Sequence, residues 1–224
     1  MKFITLITAR GGSKRLPQKN ILPLNGIPLI AHSINYAKLE FGNKHQVFVS
    51  TDSQEISSIS LEYGAEIIQR PEEYASDYAT SGMAVQHAAN YLMGNGIDYD
   101  YIVLLQPTNP LRPKGMIVNA KELIEKVRCN TLVSYTDSHK KLLRMKDNIM
   151  QPVNYTFGMR SQDMEKLYYE NGLLYVMSRN AALKGIIQEP NSYPYIIEHS
   201  FAEVDIDTIE DFKLAEIYLE LYKE

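Results

Sequence analysis

"FITLITARGGSKRLPQKN", residues 3–20, sets how the rest of the chain is read. Its first six residues form an apolar and β-branched run, Phe3 to Thr8, of the length of a buried strand. Two glycines, a serine and four cations follow at once: Arg10, Lys14, Arg15 and Lys19. A plain turn needs glycine but has no use for that much positive charge. Glycines after a strand let backbone N–H groups approach an anion, and nearby lysine and arginine neutralise it. The spacing is neither Gly-x-x-x-x-Gly-Lys-Ser/Thr nor Gly-x-Gly-x-x-Gly, so this is neither a Walker loop nor a dinucleotide fingerprint.

Outward from this loop, strand-like and helix-like runs alternate. "PLIAHSINYAKLE" (28–40) reads as a helix with Pro28 in its first turn, and "QVFVST" (46–51) as a strand. "SQEISSISLEYG" has a helix start at Ser53 and a stop at Gly64. "AEIIQR", "DYIVLLQP" and "NTLVSYT" are strand-like; "TSGMAVQHAANYLM" and "GMIVNAKELIEKV" are helical. This pattern predicts an α/β fold, a mostly parallel sheet with helices on both faces. Ligands in such folds bind beyond the carboxyl ends of the strands, where the charged and polar loops of this chain fall. Between about residues 138 and 167 the alternation fails in a Met-rich, turn-punctuated stretch, an excursion suited to subunit contact. It resumes with "NGLLYVM", "YPYIIE" and a final helix, "TIEDFKLAEIYLELYK" (208–223). With no repeat or linker, residues 1–224 are expected to form one domain.

The 224 residues are 45% apolar, enough for a substantial core. The net charge is −4 despite 23 basic residues, which argues against a nucleic-acid partner and requires any bound anion to be held locally. Cys129 is the one cysteine, so neither an internal disulfide nor a cysteine metal site is open to the chain. The early strand and the lack of a long apolar stretch predict a cytoplasmic protein with no membrane partner.

Near the C-terminus "EVDIDT" places Asp205 and Asp207 on one side of an extended segment. Paired hard oxygens suit Mg²⁺, which shares its site with waters and substrate phosphates. Asp207 or Thr208 could equally cap the last helix. The basic loop and the acidic pair together describe a phosphoryl or nucleotidyl transfer site. The histidines suggest no rival chemistry. His32 and His87 lie inside helical patterns, and His45, His139 and His199 have no metal-ligand spacing.

Six stretches resemble, in order, the signatures of the acylneuraminate cytidylyltransferase family: "ARGGSKRLPQKNI", "VSTDS", "RPEEYASDYATS", "LLQPTNPLR", "RSQDMEKLYYENGLLYV" and "VDIDTIEDF". The resemblance implies a nucleotide-diphospho-sugar transferase-like (Rossmann-like) fold, a homodimer and a Mg²⁺-dependent reaction. In it the anomeric hydroxyl of an acidic nine-carbon sugar attacks the α-phosphate of CTP, giving the CMP-sugar and pyrophosphate. Arg10, Ser13, Lys14 and Lys19 would grip the triphosphate, with Arg10 and Lys19 counted as catalytic. Asn20, Arg70, Ala79 and Ser81 match positions near the cytidine, and Gln106 the position that contacts the sugar. Asp205 and Asp207 match the magnesium pair, Asp207 also being the candidate that activates the attacking hydroxyl. The family often carries a second arginine after the position of Arg160, where this chain has Ser161. A sugar-binding lysine falls at Lys141, or at its neighbour Lys140.

The "YYENGLLYV" stretch resembles the sialic and legionaminic branches, which carry Asn-Gly here. The Ala-Gly-Gln-Phe-Tyr-Trp run of the pseudaminic branch is absent, and so is the Gly-Lys-Pro continuation of the octulosonate branch after Arg15-Leu16-Pro17. The expectation is therefore CMP-N-acylneuraminate synthesis. The same reaction on legionaminic, pseudaminic or octulosonic acid is the alternative, and a non-catalytic nucleotide- or sugar-binding regulator is a third reading.

Overall fold

The structure, a computed structural model, describes residues 1–222; Lys223, the last residue expected in the final helix, and Glu224 lie outside it. In chain order the elements are β1 (Phe3–Thr8), β2 (Pro23–Leu24), β3 (Ile27–Pro28), α1 (Leu29–Phe41), β4 (Val47–Thr51), α2 (Gln54–Glu62) and β5 (Glu66–Gln69). There follow α3 (Ser81–Gly94), β6 (Tyr101–Leu105), α4 (Met116–Val127), β7 (Thr131–Ser138), β8 (Leu143–Lys146) and β9 (Ile149–Pro152). The chain ends with β10 (Leu167–Ser178), α5 (Arg179–Leu183), β11 (Tyr193–Ile196) and α6 (Ile209–Leu221).

Local chemistry sets the helix ends. Ser53 accepts a hydrogen bond from Ile56 N at 3.3 Å to cap α2, and Gly64 follows that helix with φ +74°. Thr80 caps α3 through Met83 N at 3.2 Å. Thr208 and Asp211 form a reciprocal capping box at α6, which settles the question raised by "VDIDT": Thr208 is the cap and Asp207 is not needed for it.

Seven strands form one sheet in the order β11-β7-β10-β6-β1-β4-β5. β1 pairs in parallel with both β4 and β6, β5 with β4, and β11 with β7, while β10 runs antiparallel between β6 and β7. The sheet is mostly parallel, as expected, with one central antiparallel strand. Strands buried on both faces read as unbroken apolar runs. Ile4 and Leu6 pack with Val85, Ala88 and Leu92 of α3, whereas Ile7 and Val49 pack with α1, α2 and α4. A third cluster seats Phe212 and Ala215 of α6 on Leu24, Leu29, Leu111 and Ile206.

β1 continues to β4 on one side and has β6 on the other, so the connections diverge between β1 and β6. That divergence opens a crevice at their carboxyl ends. The β8–β9 hairpin projects as a separate two-stranded sheet within the expected excursion.

His45 gives a stability prediction. Its Nε2 meets Thr5 Oγ1 at 2.9 Å and its ring packs 4.2 Å from that of Phe41. Burial, reinforced by the charge of Lys121, lowers its pKa to about 4. Because the folded value lies below the ordinary one, the unfolded chain takes up the proton first as pH falls. The contribution is whole above about pH 6.5 and is lost towards about pH 4, on the order of 1–2 kcal/mol after solvent screening. Denaturant titrations at pH 7 and 4.5 should show His45→Gln losing less stability than the parent; equal losses would remove His45 as the cause.

Candidate active site

Two clefts meet at the carboxyl ends of β1 and β6. The first, about 470 Å³, is lined by Arg10, Ser13, Lys14, Arg15, Lys19, Asn20 and Ser81, with Gln106, Thr108 and Asp207 on its far wall. All four cations of the opening stretch therefore face one space, with Asp207 the one carboxylate among its lining residues.

The loop is folded by its own backbone and by its neighbours. Gly11 N donates to Asp52 Oδ1 at 2.9 Å, and Ser13 N to Gly11 O at 2.9 Å. A Cβ on Gly11 would come within 3.0 Å of Ser53 Cβ, so this glycine is set by close packing, whereas Gly12 has open space. Asn20, buried, donates from Nδ2 to Arg10 O at 3.0 Å and fixes the loop's first residue.

Lys19 turns inward. Its side chain is 10% exposed, and Nζ donates to Ile206 O at 2.7 Å and to Asp207 Oδ1 at 2.8 Å. Arg15 Nη1 reaches the other oxygen of Asp207 at 2.9 Å. Residues 204–206 are docked on the loop after β6, with Ile206 N donating to Thr108 O at 2.8 Å and Asn109 Nδ2 to Val204 O at 3.1 Å. Asp205 thus sits two residues from Asp207 on the same segment. Its carboxyl is pushed above the usual range by burial and then by the charge of Asp207, against a hydrogen bond with Thr108.

The second cleft, about 670 Å³, shares Gln106 with the first and continues to Asp205, Glu170, Glu203, Tyr175 and Lys140. Its carboxylates, Asp137, Glu170, Glu203 and Asp205, outnumber its one lysine. Burial, then Glu170 and Asp205, pushes the Tyr175 phenol up to about 12, so its hydroxyl stays protonated at neutral pH. The Asn-Gly of "YYENGLLYV" forms an irregularity in β10 at the rear of this cleft. Asn171 Oδ1 accepts from Leu173 N at 3.0 Å and Nδ2 donates to Thr136 Oγ1 at 2.9 Å. Gly172 has φ +72°, and a Cβ there would meet Asn109 Oδ1 at 2.5 Å, so glycine is required twice over.

Other expected site residues lie elsewhere. Arg70 is buried, its guanidinium bonded to Ser50 O, and Ala79 lies in the turn before α3; neither lines the two clefts. Lys141 donates to Met159 O at 2.8 Å and lies 5.3 Å from the Tyr155 ring, leaving its neighbour Lys140 in the second cleft. Arg160 pairs with Asp163 at 2.7 Å and lines neither cleft of its own chain. Both lie in the excursion outside the two strands of its hairpin, and each is held by a partner within that excursion.

Arg112 and Asn109 carry parts of the site that the motif "LLQPTNPLR" contained without revealing. Arg112 is buried and donates to Gln106 O at 2.8 Å, Leu173 O at 3.0 Å and Ser33 Oγ at 3.0 Å, fixing the residue shared by both clefts. A polar side chain between two prolines in a strand-end loop was the available signal. Among the described residues, no group of three or more histidine, cysteine, aspartate or glutamate side chains could by itself hold a metal ion.

The model of the family described as cytidylyltransferase matches residues 4–223. The chain belongs to the cytidylyltransferase family. It is therefore a nucleotidyltransferase, in keeping with the family its motifs resemble. It is 34% identical over 230 residues to a pseudaminic acid cytidylyltransferase of Campylobacter jejuni, covering 100% of this chain and 97% of that one. An N-acylneuraminate cytidylyltransferase of Streptococcus agalactiae is 35% identical over 95% of this chain and 52% of its own. A CMP-N,N'-diacetyllegionaminic acid synthase of Legionella pneumophila is 32% identical over 100% and 99%. A solved CMP:2-keto-3-deoxy-manno-octonic acid synthetase complexed with CTP has the same fold, with TM-score 0.73, 13% identity and both chains covered in full. Among the described residues of this cytidylyltransferase, no helix is long and apolar enough to cross a membrane.

The inward ammonium carries a prediction. Lys19→Met keeps the length of the side chain but removes both polar contacts, leaving the Ile206 carbonyl without this donor. Nucleotidyl transfer should fall about 100-fold in kcat/KM, roughly 2.7 kcal/mol, with a lower Tm from the loosened 204–207 segment. Turnover like the parent's would remove Lys19 from the site.

Proposed function

We propose that this cytidylyltransferase transfers CMP from CTP to the anomeric hydroxyl of an acidic nine-carbon sugar of the N-acylneuraminate type, releasing pyrophosphate. The observation that carries the reading is the junction of a four-cation cleft and a wider, carboxylate-lined cleft at Gln106, with Asp205 and Asp207 one on each side. A triphosphate fits the first by charge. A polyhydroxylated sugar fits the second, where carboxylates accept its hydroxyl protons.

Arg10, Lys14 and Lys19 neutralise the charge that grows on the departing pyrophosphate. Gln106 orients the sugar over the junction, and its own backbone is fixed by Arg112. Asp205 and Asp207 would hold Mg²⁺, whose need for oxygen ligands two carboxylates, waters and phosphates meet. The fit rests on the two carboxylates of one short segment, of which Asp205 is destabilised as an anion first by burial and then by the charge of Asp207. When bound, the metal draws charge from the phosphates. Asp207 lines the nucleotide cleft and Asp205 the sugar cleft; the proton of the attacking hydroxyl passes to Asp207, directly or through bound water. A reaction that consumes CTP is in keeping with a cytoplasmic enzyme.

The sugar follows from the "YYENGLLYV" stretch, whose Asn-Gly builds the rear of the second cleft. Relatives named for three different sugar acids are 32–35% identical to this chain, so overall identity does not rank them. Pyrophosphate release from CTP and Mg²⁺ should appear with N-acetylneuraminic acid or its legionaminic counterpart and not with UTP. Release with pseudaminic or octulosonic acid alone would overturn the branch. Tight CTP binding with silence on all four acids would overturn the reaction.

A symmetric dimer completes the site. Met145 and Ile149 of the hairpin are 64% and 62% exposed, beside exposed Met150 and Phe157, an apolar surface out of keeping with a solvated loop. The sugar carboxylate needs more positive charge than Lys140 supplies, and Arg160, on the same excursion, reaches it from the second copy. Light scattering at micromolar concentration should give twice the chain mass. Met145→Lys with Ile149→Lys should give a folded monomer with sharply reduced turnover. An active monomer would refute this.

A further inference from the structure

Asp77 has no place in the reaction as described, yet it holds two of the residues that grip the triphosphate. Its Oδ1 lies 3.2 Å from Arg10 Nη1, and its Oδ2 pairs with Lys14 Nζ. Arg10 Nη1 donates to the neighbouring Ser76 O as well, at 3.2 Å. The hydrogen bond from Lys14, with the charges of Lys14 and Arg10, keeps the Asp77 carboxyl below the usual carboxylate range, so it is an anion at neutral pH.

The geometry is that of a substitute phosphate. Arg10 and Lys14 line the first cleft, while Asp77 stands outside its lining, on the turn that leads to Ala79 and to Ser81 at the start of α3. A phosphate entering the cleft competes with Asp77 for the charges of Arg10 and Lys14. A triphosphate carries several negative charges against one and displaces it. The carboxylate stays tethered to the same turn, however, and so recaptures both cations whenever a phosphate departs.

We propose that Asp77 is a tethered competing anion that lowers the affinity of the basic loop for CTP and speeds release of pyrophosphate. This rests on the reading that the loop binds the triphosphate. The opposite role, a scaffold that pre-orients Arg10 and Lys14, predicts weaker binding once the charge is removed, so the sign of the change decides.

The test is Asp77→Asn, which keeps shape and acceptor but not charge, beside Asp77→Glu, which keeps charge. Inorganic pyrophosphate and CTP–Mg²⁺ binding are each measured by calorimetry without sugar, at low and high salt. Asp77→Asn should bind pyrophosphate roughly threefold to fivefold more tightly than the parent, the scale of exposed ion pairs, with the gain shrinking at high salt. The KM for CTP should fall, pyrophosphate should inhibit more strongly, and Asp77→Glu should resemble the parent. Unchanged or weaker pyrophosphate binding by Asp77→Asn, in a protein with the parent's Tm, overturns the proposal. A parent that binds pyrophosphate but not CTP would instead refute the cytidylyl reading, and the pyrophosphate ratio would still decide the role of Asp77.

Discussion

The Lys19 ammonium, drawn inward between the first loop and the segment before α6, joins parts of the chain nearly two hundred residues apart in sequence. Placing a cation where little water reaches it is costly unless donors and charge are both matched. Ile206 O and Asp207 supply that match, at 2.7 and 2.8 Å. The same contact fixes Asp207 against the basic loop, so one side chain sets the spacing between the groups proposed to bind phosphate and those proposed to bind its metal. Thr108 and Asn109 hold the segment from its other side through Ile206 N and Val204 O. The site is thus clamped between two loops at neighbouring strand ends, and its precision comes from the rigid sheet below.

The topology explains why these loops are neighbours. Chain connections diverge from β1 to β4 on one side, while β6 pairs on the other, so the loops after β1 and β6 flank the crevice. The antiparallel β10 then brings its irregular Asn171–Gly172 stretch behind the second cleft. Arg112 ties that strand, through Leu173 O, to the Gln106 carbonyl and to Ser33 of α1. With no carboxylate among those three partners, its buried charge rests on oriented dipoles, and burial lowers its pKa only to about 10. It stays charged at neutral pH and rigidifies the residue shared by both clefts.

Much of this was legible in the chain because local rules point the same way. Unbroken apolar runs marked β1, β4 and β6, and Ser53 marked a helix start. Four cations around two glycines marked the phosphate side of the site. The antiparallel course of β10 was not legible, since strand direction depends on partners distant in sequence rather than on pattern. The five-residue α5 and the two-residue β2 and β3 are too short for periodicity to declare. Lys141 and Arg160 lie outside the two strands of the hairpin, where periodicity gives no guide to the direction of a side chain. Arg112 and Asn109 passed as loop polarity because burial cannot be read from a single polar residue.

The two clefts also differ in sign, and that difference constrains the chemistry. In the first, Arg10, Lys14, Arg15 and Lys19 face a single carboxylate. In the second, four carboxylates face one lysine. A neutral polyol would suit the second cleft as it stands, since hydroxyls donate to carboxylates. An acidic sugar would suit it less, because its own carboxylate would meet repulsion from Glu170 and Glu203 in a partly desolvated space, the charge of Asp137 being matched by Lys166 at 3.3 Å. A cation at Asp205 or a basic residue from a second copy would each supply the further positive charge that the proposed acidic sugar calls for. Arg160 stands on the excursion paired with Asp163, an i,i+3 pair at the surface that is cheap to exchange. Charge balance in the sugar cleft and exposed apolar surface on the hairpin are two independent observations in support of the proposed dimer.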